Sequence, residues 1–209
     1  MTAHVLPYHD DGFAQSVTLR DGCVVVVRPI GPDDKDRLVA GLASLSEESA
    51  YRRFLAPHGT FTHDELVYLT EVDHRDHEAL VAIGPDGHGA GIARYVRLAD
   101  DPLEAEVAVT VIDDMQGRGL GTELLTLLAA RARAEGVRRF VSLVLADNVE
   151  MRATLDALGP TRAVGAGAGT IELVTEIPEA GLAEGLRILL RKVAAKLVMV
   201  PAGHLGHDR

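Results

Sequence analysis

Three glycines at alternate positions join a strand pattern to a helix pattern, and they constrain the fold more than any other feature. The segment is EVAVTVIDDMQGRGLGTELLTLLAARARAEG, residues 106–136, in which an apolar run leads into QGRGLGT and then into a long helix. The first N–H groups of a helix have no partner within it, and with the helix dipole they attract anions. Bare backbone at this point predicts an anionic ligand, with a pyrophosphate as the natural occupant.

Two common phosphate-binding loops do not fit this segment. A P-loop has a lysine directly after its last glycine, whereas Thr122 follows Gly121. A Rossmann fingerprint has the spacing G-x-G-x-x-G near the first strand, whereas Leu124 lies three residues after Gly121 and several strand patterns precede the loop. The loop itself offers Arg118 as a positive charge and the Thr122 hydroxyl as a donor.

Turn and cap signals divide the rest of the chain into alternating strand and helix patterns. Asp21-Gly22 and Pro85-Asp86-Gly87 predict two hairpins, and a third is predicted over 161–177. Helical patterns cover 33–55, with Ser46 a candidate start of a second short helix, and then 62–73, 121–136 and 147–159. The order β-β-α-α-β-β-β-α-β-α-β-β predicts an α/β (α+β) fold whose mixed, mostly antiparallel central sheet is flanked by helices.

Length and composition indicate one globular domain with short additions. The chain has 209 residues, 47% of them hydrophobic, and a formal net charge of −10, which argues against nucleic acid as a partner. Cys23 is the single cysteine, so no disulfide forms within the chain and a cytoplasmic location is expected. We expect a flexible segment over 1–16, the domain over 17–176, and an amphipathic helix with a tail over 177–209.

The C-terminal helical pattern has three candidate uses. It could cover one sheet edge, contribute to a homodimer, or lie on a membrane surface, since it carries several arginines and lysines. We favour the cover and expect no membrane partner, because no segment has the roughly 18 apolar residues that a membrane span requires.

The glycine loop also carries a family resemblance. Gln116-Gly117-Arg118-Gly119-Leu120-Gly121 matches the pattern Q/R-x-x-G-x-G/A. On this motif the chain resembles the GNAT superfamily of N-acetyltransferases, in which the loop binds the pyrophosphate of acyl-CoA. The resemblance implies the GNAT fold, acetyl-CoA as cosubstrate, and contacts to it from the strand before the loop and from the loop itself: Val109, Val111, Gln116, Gly117, Arg118, Gly119, Gly121 and Thr122.

A second block supports the same resemblance. Asn148-Val149-Glu150-Met151, followed by Leu158-Gly159, resembles the superfamily's next motif, in which an asparagine near the helix start faces the cofactor. Asn148 is also a good helix N-cap, and the two roles are compatible. Many members supply a tyrosine from this helix as general acid, but Leu155 stands at that position, so we assign no general acid.

Longer stretches resemble the catalytic domain of actinobacterial Pat-type protein lysine acetyltransferases. They are LRDG…VVVRPIGPDD, LSEESAYRRF, HDELVYLTEVDHRDHEALVAI and AEVAVTVIDDMQGRGLG, and the likeness covers roughly residues 17 to 175. It implies Glu106 as the general base, with apolar neighbours such as Val107 and Val109 enclosing its carboxylate. Glu104 lies on the same face of the strand and is an alternative base. A third possibility is that this face is solvated and that neither carboxylate acts as the base.

The expected reaction is acetyl transfer from acetyl-CoA to a primary amine by direct attack in a ternary complex. The acceptor is a protein lysine by the Pat-type resemblance, for example on an acyl-CoA synthetase. The alternatives are a small-molecule amine or antibiotic, and a non-catalytic acyl-CoA-binding protein.

Two further stretches have plain structural readings. His74-x-x-His77 has a spacing seen in metal sites, but we interpret it as a polar loop before a strand, bordering the acceptor site if the Pat-type resemblance holds, and assign no metal. In Tyr51-Arg52-Arg53-Phe54 we expect the aromatic side chains in the core and the arginines outside.

Overall fold

Eight strands form one sheet in the computed structural model, which describes residues 13–56 and 59–179. The strands are β1 Gln15–Thr18, β2 Val24–Pro29, β3 His77–Ile83, β4 Gly89–Arg97, β5 Glu104–Val111, β6 Arg139–Leu145, β7 Thr161–Gly167 and β8 Thr170–Glu176. Their order across the sheet is β1-β2-β3-β4-β5-β6-β8-β7, and only the β5–β6 pair is parallel. The predicted mixed, mostly antiparallel sheet is thus confirmed, whereas the predicted C-terminal helix lies outside the described residues.

Five helices accompany the strands in the described part of the chain. They are α1 Lys35–Ala43, α2 Glu47–Phe54, α3 His63–Thr70, α4 Leu120–Ala134 and α5 Val149–Leu158. Three of them, rather than two, precede β3. The reason is local: the Ser46 side chain accepts a hydrogen bond from Ser49 N and starts α2 as a separate helix. Gly136, with φ of 92°, follows the end of α4 as predicted.

The main core lies between the sheet and α4. Leu120, Leu124 and Leu128 of α4 are almost fully buried against the strands. Gly91 of β4 permits this close packing, because a Cβ there would lie 2.9 Å from Thr110 O and 3.2 Å from Leu124 Cδ1. The fixed distance between α4 and the sheet also fixes the height of the glycine loop above β5.

Strands β5 and β6 separate after a short parallel contact. Glu104, Ala105 and Glu106 pair with residues 139–141, and the register ends there. Each strand continues, β5 to Val111 and β6 to Leu145. An opening therefore begins in the middle of the sheet, immediately after Glu106.

The opening exposes main-chain groups of β5. Ile112 N donates to Ala90 O at 3.1 Å, on the β4 side. Because main-chain groups alternate in direction along a strand, those of Val109 and Val111 face the opening. In agreement, Val111 O accepts a hydrogen bond from Gln116 Nε2 at 3.0 Å. Val109 thus directs its N–H and C=O into the opening, where no strand of the described residues pairs with them.

Candidate active site

A deep cleft occupies the opening between β5 and β6. Its volume is about 620 Å³, and its walls come from β5, β6, the glycine loop, α2 and α5. Of the residues predicted to bind the cosubstrate, eight line it: Val109, Val111, Gln116, Gly117, Gly119, Gly121, Thr122 and Asn148. Glu106 lies at the same cleft, so segments distant in sequence meet where the strands part.

The glycine loop provides an unusual run of free main-chain donors. None of the six N–H groups of residues 117–122 donates a hydrogen bond to the described part of the chain, whereas Gln116 N and Glu123 N on either side do. Gly117 and Gly119 have φ of 71° and 88°, which is the left-handed region that favours glycine. Successive free N–H groups at a helix N-terminus fit a diphosphate well.

Arg118 does not point into this cradle. Its Nη1 donates to Asp21 Oδ2 at 2.8 Å, in the turn between β1 and β2, and its side chain does not line the cleft. This differs from the expectation that Arg118 adds positive charge at the phosphate site. The cause is that Gly117 and Gly119 turn the main chain sharply on both sides of Arg118, while Asp21 supplies an opposite charge.

Arg20 lies where Arg118 was expected. Its main-chain N donates to Arg118 O at 3.1 Å, which fixes the β1–β2 turn against the glycine loop. The Arg20 Nε lies 3.1 Å from the point where a Cβ on Gly119 would stand, and the side chain lines the cleft. Sequence analysis missed this residue because no local signal connects a hairpin turn to a loop 97 residues further on.

Gln116 supports the loop through its side chain. Its Nε2 donates to Val111 O at 3.0 Å, to Asp113 Oδ1 at 3.0 Å and to Ser49 Oγ at 3.2 Å. Asp113 in turn accepts from Ser46 N at 2.6 Å. The Gln116 amide therefore connects the glycine loop to the start of α2. Through this contact, the side of the cleft proposed for the donor is linked to a helix that lies on the sheet face opposite α4.

Asn148 lies at the start of α5 and at the wall of the cleft. Its Oδ1 accepts from Met151 N at 3.0 Å, so it is the N-cap of α5. Its side chain also lines the cleft, where the amide nitrogen makes no hydrogen bond to the described residues. Leu155, about two turns further along α5, is fully buried in the core, and no described residue lining the cleft is a tyrosine.

Glu106 stands at the point where β5 and β6 part. Its side chain is exposed to the cleft, while Val107 and Val109 project to the opposite face and pack toward α4. The expected enclosure by these valines is therefore wrong, since neighbours in a strand alternate in direction. Glu104, the rival base, accepts from Arg139 Nε at 2.7 Å and is held in that ion pair.

The arginines of α2 also differ from the expectation. Both arginines line the cleft, and Arg52 is paired there with Glu48 and Glu150. Arg53 makes no such pair within the described residues, and burial lowers its pKa while the negative charge of Glu106 opposes that shift. Tyr51, predicted in the core, is 46% exposed.

The two histidines of the His74-x-x-His77 stretch lie on opposite faces of the sheet. His74 is buried and its Nδ1 lies 2.8 Å from Glu78 Oε1, and Glu78 also accepts from Arg131 Nε of α4 at 2.6 Å. His77 lies on the other face, where Arg94 Nη1 donates to its Nε2 at 2.9 Å. Burial and the Arg94 charge lower the pKa of His77 to about 4, so this ring is neutral at pH 7.

The described residues contain no cluster of three or more His, Cys, Asp or Glu side chains placed to hold a metal ion. Among the helices in the same ranges, none has the length and apolar content to cross a membrane.

Comparison with known proteins identifies the site's relatives. Residues 39–159 match the Acetyltransferase (GNAT) family. Acetyltransferase Pat of Mycolicibacterium smegmatis is 42% identical over 144 residues, which span 68% of this chain and 43% of that protein. The chain thus covers less than half of this relative.

Solved structures show the same fold. The GNAT domain of S. lividans PAT has a TM-score of 0.74 at 35% identity, covering 82% of this chain and 99% of that domain. The structure of yncA from Salmonella typhimurium with its cofactor acetyl-CoA has a TM-score of 0.58 at 18% identity, covering 74% of this chain and 95% of that chain, and at this identity it shows the fold alone.

Proposed function

Because the chain belongs to the GNAT family of acetyltransferases, whose cosubstrate is acetyl-CoA, we propose that it transfers the acetyl group to a lysine of a protein. The proposal for the acceptor is supported by the likeness to Acetyltransferase Pat and by the Pat-type stretches in the sequence. The carrying observation is the placement of Glu106, a carboxylate open to the cleft at the very point where the strands part.

The donor half of the site is built from main chain. We propose that the six free N–H groups of residues 117–122 bind the diphosphate, with the Arg20 guanidinium beside them. The N–H and C=O of Val109 would pair with the amides of the pantetheine arm, as a further strand would. Asn148 would donate its amide nitrogen to the same arm from the α5 side.

The half of the site that binds the amine also supplies the group that takes its proton. A lysine ammonium must lose a proton before its nitrogen can attack the thioester carbonyl. Glu106 would accept that proton, directly or through one water. A β5 N–H facing the opening would then donate to the carbonyl oxygen as negative charge develops there. The carbon–sulfur bond then breaks, CoA leaves as the thiolate, and the nitrogen loses its second proton to water. Departure as the thiolate suits a cleft whose described lining contains no tyrosine.

An acceptor screen tests the proposed function. The protein is incubated with acetyl-CoA and a panel of purified proteins, including acyl-CoA synthetases, alongside small amines, and free CoA is measured. Mass spectrometry then locates acetyl-lysine. We expect protein lysines to be acetylated faster than small amines. Efficient acetylation of a small amine, with every protein left unmodified, would rule the lysine proposal out.

Replacement of the base tests the mechanism. We expect Glu106→Gln to lower kcat by roughly 10²- to 10⁴-fold, the range for loss of a general base, with little change in affinity for CoA. Glu104→Gln is the matched control on the same face of β5, and it should retain activity because Glu104 is already paired with Arg139. Equal losses in both variants would contradict the assignment of Glu106.

A further inference from the structure

Arg53 places a guanidinium in the active-site cleft, where no anion of the described residues pairs with it. It lies at the end of α2, with its Cζ 5.1 Å from the centroid of the Phe54 ring. Within residues 13–56 and 59–179 it makes no hydrogen bond and no ion pair, unlike Arg52 beside it. Its five N–H donors are therefore available to a ligand in the cleft.

A second cavity adjoins the cleft at Arg53. It has a volume of about 80 Å³ and lies between α1, α2 and the face of the sheet that carries Glu106. Arg53, Phe54 and Thr110 line both spaces, so the cavity and the cleft are neighbours on the two sides of these residues. The remaining walls are mostly apolar, and the volume accommodates a few atoms of the size of a water molecule.

The carboxylate nearest to this cavity is already used. Asp34 is almost fully buried and accepts hydrogen bonds from Arg28 Nη1 at 2.7 Å, Arg37 Nη1 at 2.8 Å and Gly31 N at 3.0 Å. With two arginines and a main-chain amide around it, Asp34 cannot also neutralise Arg53.

A second buried arginine adds to the positive charge. Arg94 donates to His77 Nε2 and to Leu69 O at 3.0 Å, and both acceptors are neutral. Burial and the like charge of Arg53 lower the pKa of Arg94 to about 10, so it remains charged at neutral pH. The charges of Arg53 and Arg94 thus oppose each other, and the carboxylate that acts on Arg53 is that of Glu106.

Binding of an amine changes this balance. An acceptor ammonium takes Glu106 as its partner, and after proton transfer Glu106 is neutral. Arg53 then faces a cation, or no charge at all, in a partly buried place where an unpaired charge is costly. An acceptor that brings its own anion removes that cost.

We propose that Arg53 forms an anion subsite that binds a carboxylate carried by the acceptor next to the reacting amine. The inference rests on the proposed function: for a protein acceptor, the carboxylate is an Asp or Glu side chain close to the target lysine. For a free amino acid, it would be the main-chain carboxylate. Arg53 is in this sense a specificity-determining residue.

The test uses acceptors that differ only in this charge. Two lysine peptides with Asp or Asn beside the lysine are compared, and lysine is compared with lysinamide. The native protein should favour each carboxylate-bearing acceptor in kcat/KM by roughly 10- to 100-fold, the size of one charge-assisted hydrogen bond. Arg53→Gln should reduce each ratio to about one, whereas Arg53→Lys should retain part of it.

Arg52→Gln is the matched control, since it removes the neighbouring guanidinium of α2 and should leave the ratios unchanged. A ratio is used because a general loss of activity or stability cancels in it. Calorimetric binding of the two peptides gives the same comparison without turnover.

The outcomes separate the two proposals. Peptide acetylation without preference for the acidic peptide would overturn the subsite and leave the lysine function standing. Preference for lysine over lysinamide, dependent on Arg53 but with no peptide acetylated, would uphold the subsite and overturn the lysine function. A preference that persists in Arg53→Gln would overturn the subsite for either acceptor.

Discussion

Replacing Arg20 by Gln tests which arginine serves the phosphate site. Arg20 lies outside the glycine motif, yet its Nε reaches to 3.1 Å from the Cβ position of Gly119 and its side chain lines the cleft. The Arg20 N to Arg118 O hydrogen bond is main chain to main chain, so the substitution leaves the turn anchored to the loop. What it removes is one positive charge beside the six free N–H groups.

The size of the expected change in KM follows from the exposure of the Arg20 side chain. A hydrogen bond to a charged group contributes about 1.5–3 kcal/mol, and Arg20 is exposed, so we expect the low end, about 1–2 kcal/mol. Since 1.4 kcal/mol is tenfold, the KM for acetyl-CoA should rise roughly 5- to 30-fold. The change should shrink at high ionic strength, because salt screens an exposed charge.

Arg118→Gln is the matched control within the motif. It breaks the Arg118–Asp21 pair, in which both side chains are about two-fifths exposed, 37% and 40%. Exposed pairs contribute about 0–1 kcal/mol, so we expect a small loss of stability and less than about a twofold change in KM.

Initial rates at saturating acceptor, with CoA affinity measured by calorimetry, decide between the two arginines. Acetyl-dephospho-CoA keeps the diphosphate, and acetyl-pantetheine lacks it. The Arg20→Gln effect should persist with the first and vanish with the second. A larger KM change in Arg118→Gln than in Arg20→Gln would contradict the assignment of Arg20 to the phosphate site, and so would an Arg20 effect that remains with acetyl-pantetheine.

Two further predictions concern stability. Gly91→Ala should lower the free energy of unfolding by about 1–3 kcal/mol, because the new methyl group would lie 3.2 Å from Leu124 Cδ1 and 2.9 Å from a strand carbonyl oxygen. Denaturant titrations measure this change. Gly41→Ala is the control, since nothing lies within 4 Å of a Cβ there. The His77 pKa falls from its ordinary 6.5 to about 4, so between these values the unfolded chain binds the extra proton and stability should decrease as pH falls through that window. His77→Gln, whose amide oxygen can still accept from Arg94, should flatten this slope, and an unchanged slope would contradict it.

Local signals in the sequence were sufficient for most of the fold. Asp21-Gly22 and Pro85-Asp86-Gly87 lie between strands that pair as hairpins, and Ser46 does start a helix. These features depend on a few adjacent residues, whose turn and cap preferences are strong. The glycine motif predicted a run of unpaired main-chain donors for the same reason, because these N–H groups lie in contiguous main chain.

Side-chain direction could not be predicted in the same way. Arg118 belongs to the motif and yet turns to Asp21, 97 residues away, while Arg20 lies at the cleft. Arg53 follows Arg52 in one helical turn, and only the position of α2 above β5 decides which of them is buried. His74 and His77 separate for a related reason: the neighbours His77 and Glu78 of β3 point to opposite faces, and His74 pairs with Glu78.

The division between main chain and side chains also separates the two halves of the proposed site. Donor recognition by the N–H groups of residues 117–122, as proposed, depends on backbone shape, so we expect it to tolerate substitution of any residue there that is not needed for that shape. Acceptor recognition, if Arg53 has the role proposed, depends on one side chain of α2, far away in sequence. Substitutions in α2 should therefore change the acceptor while acetyl-CoA binding is kept, and Gln116, which joins the loop to Ser49 of α2, is the position where the two halves would be coupled.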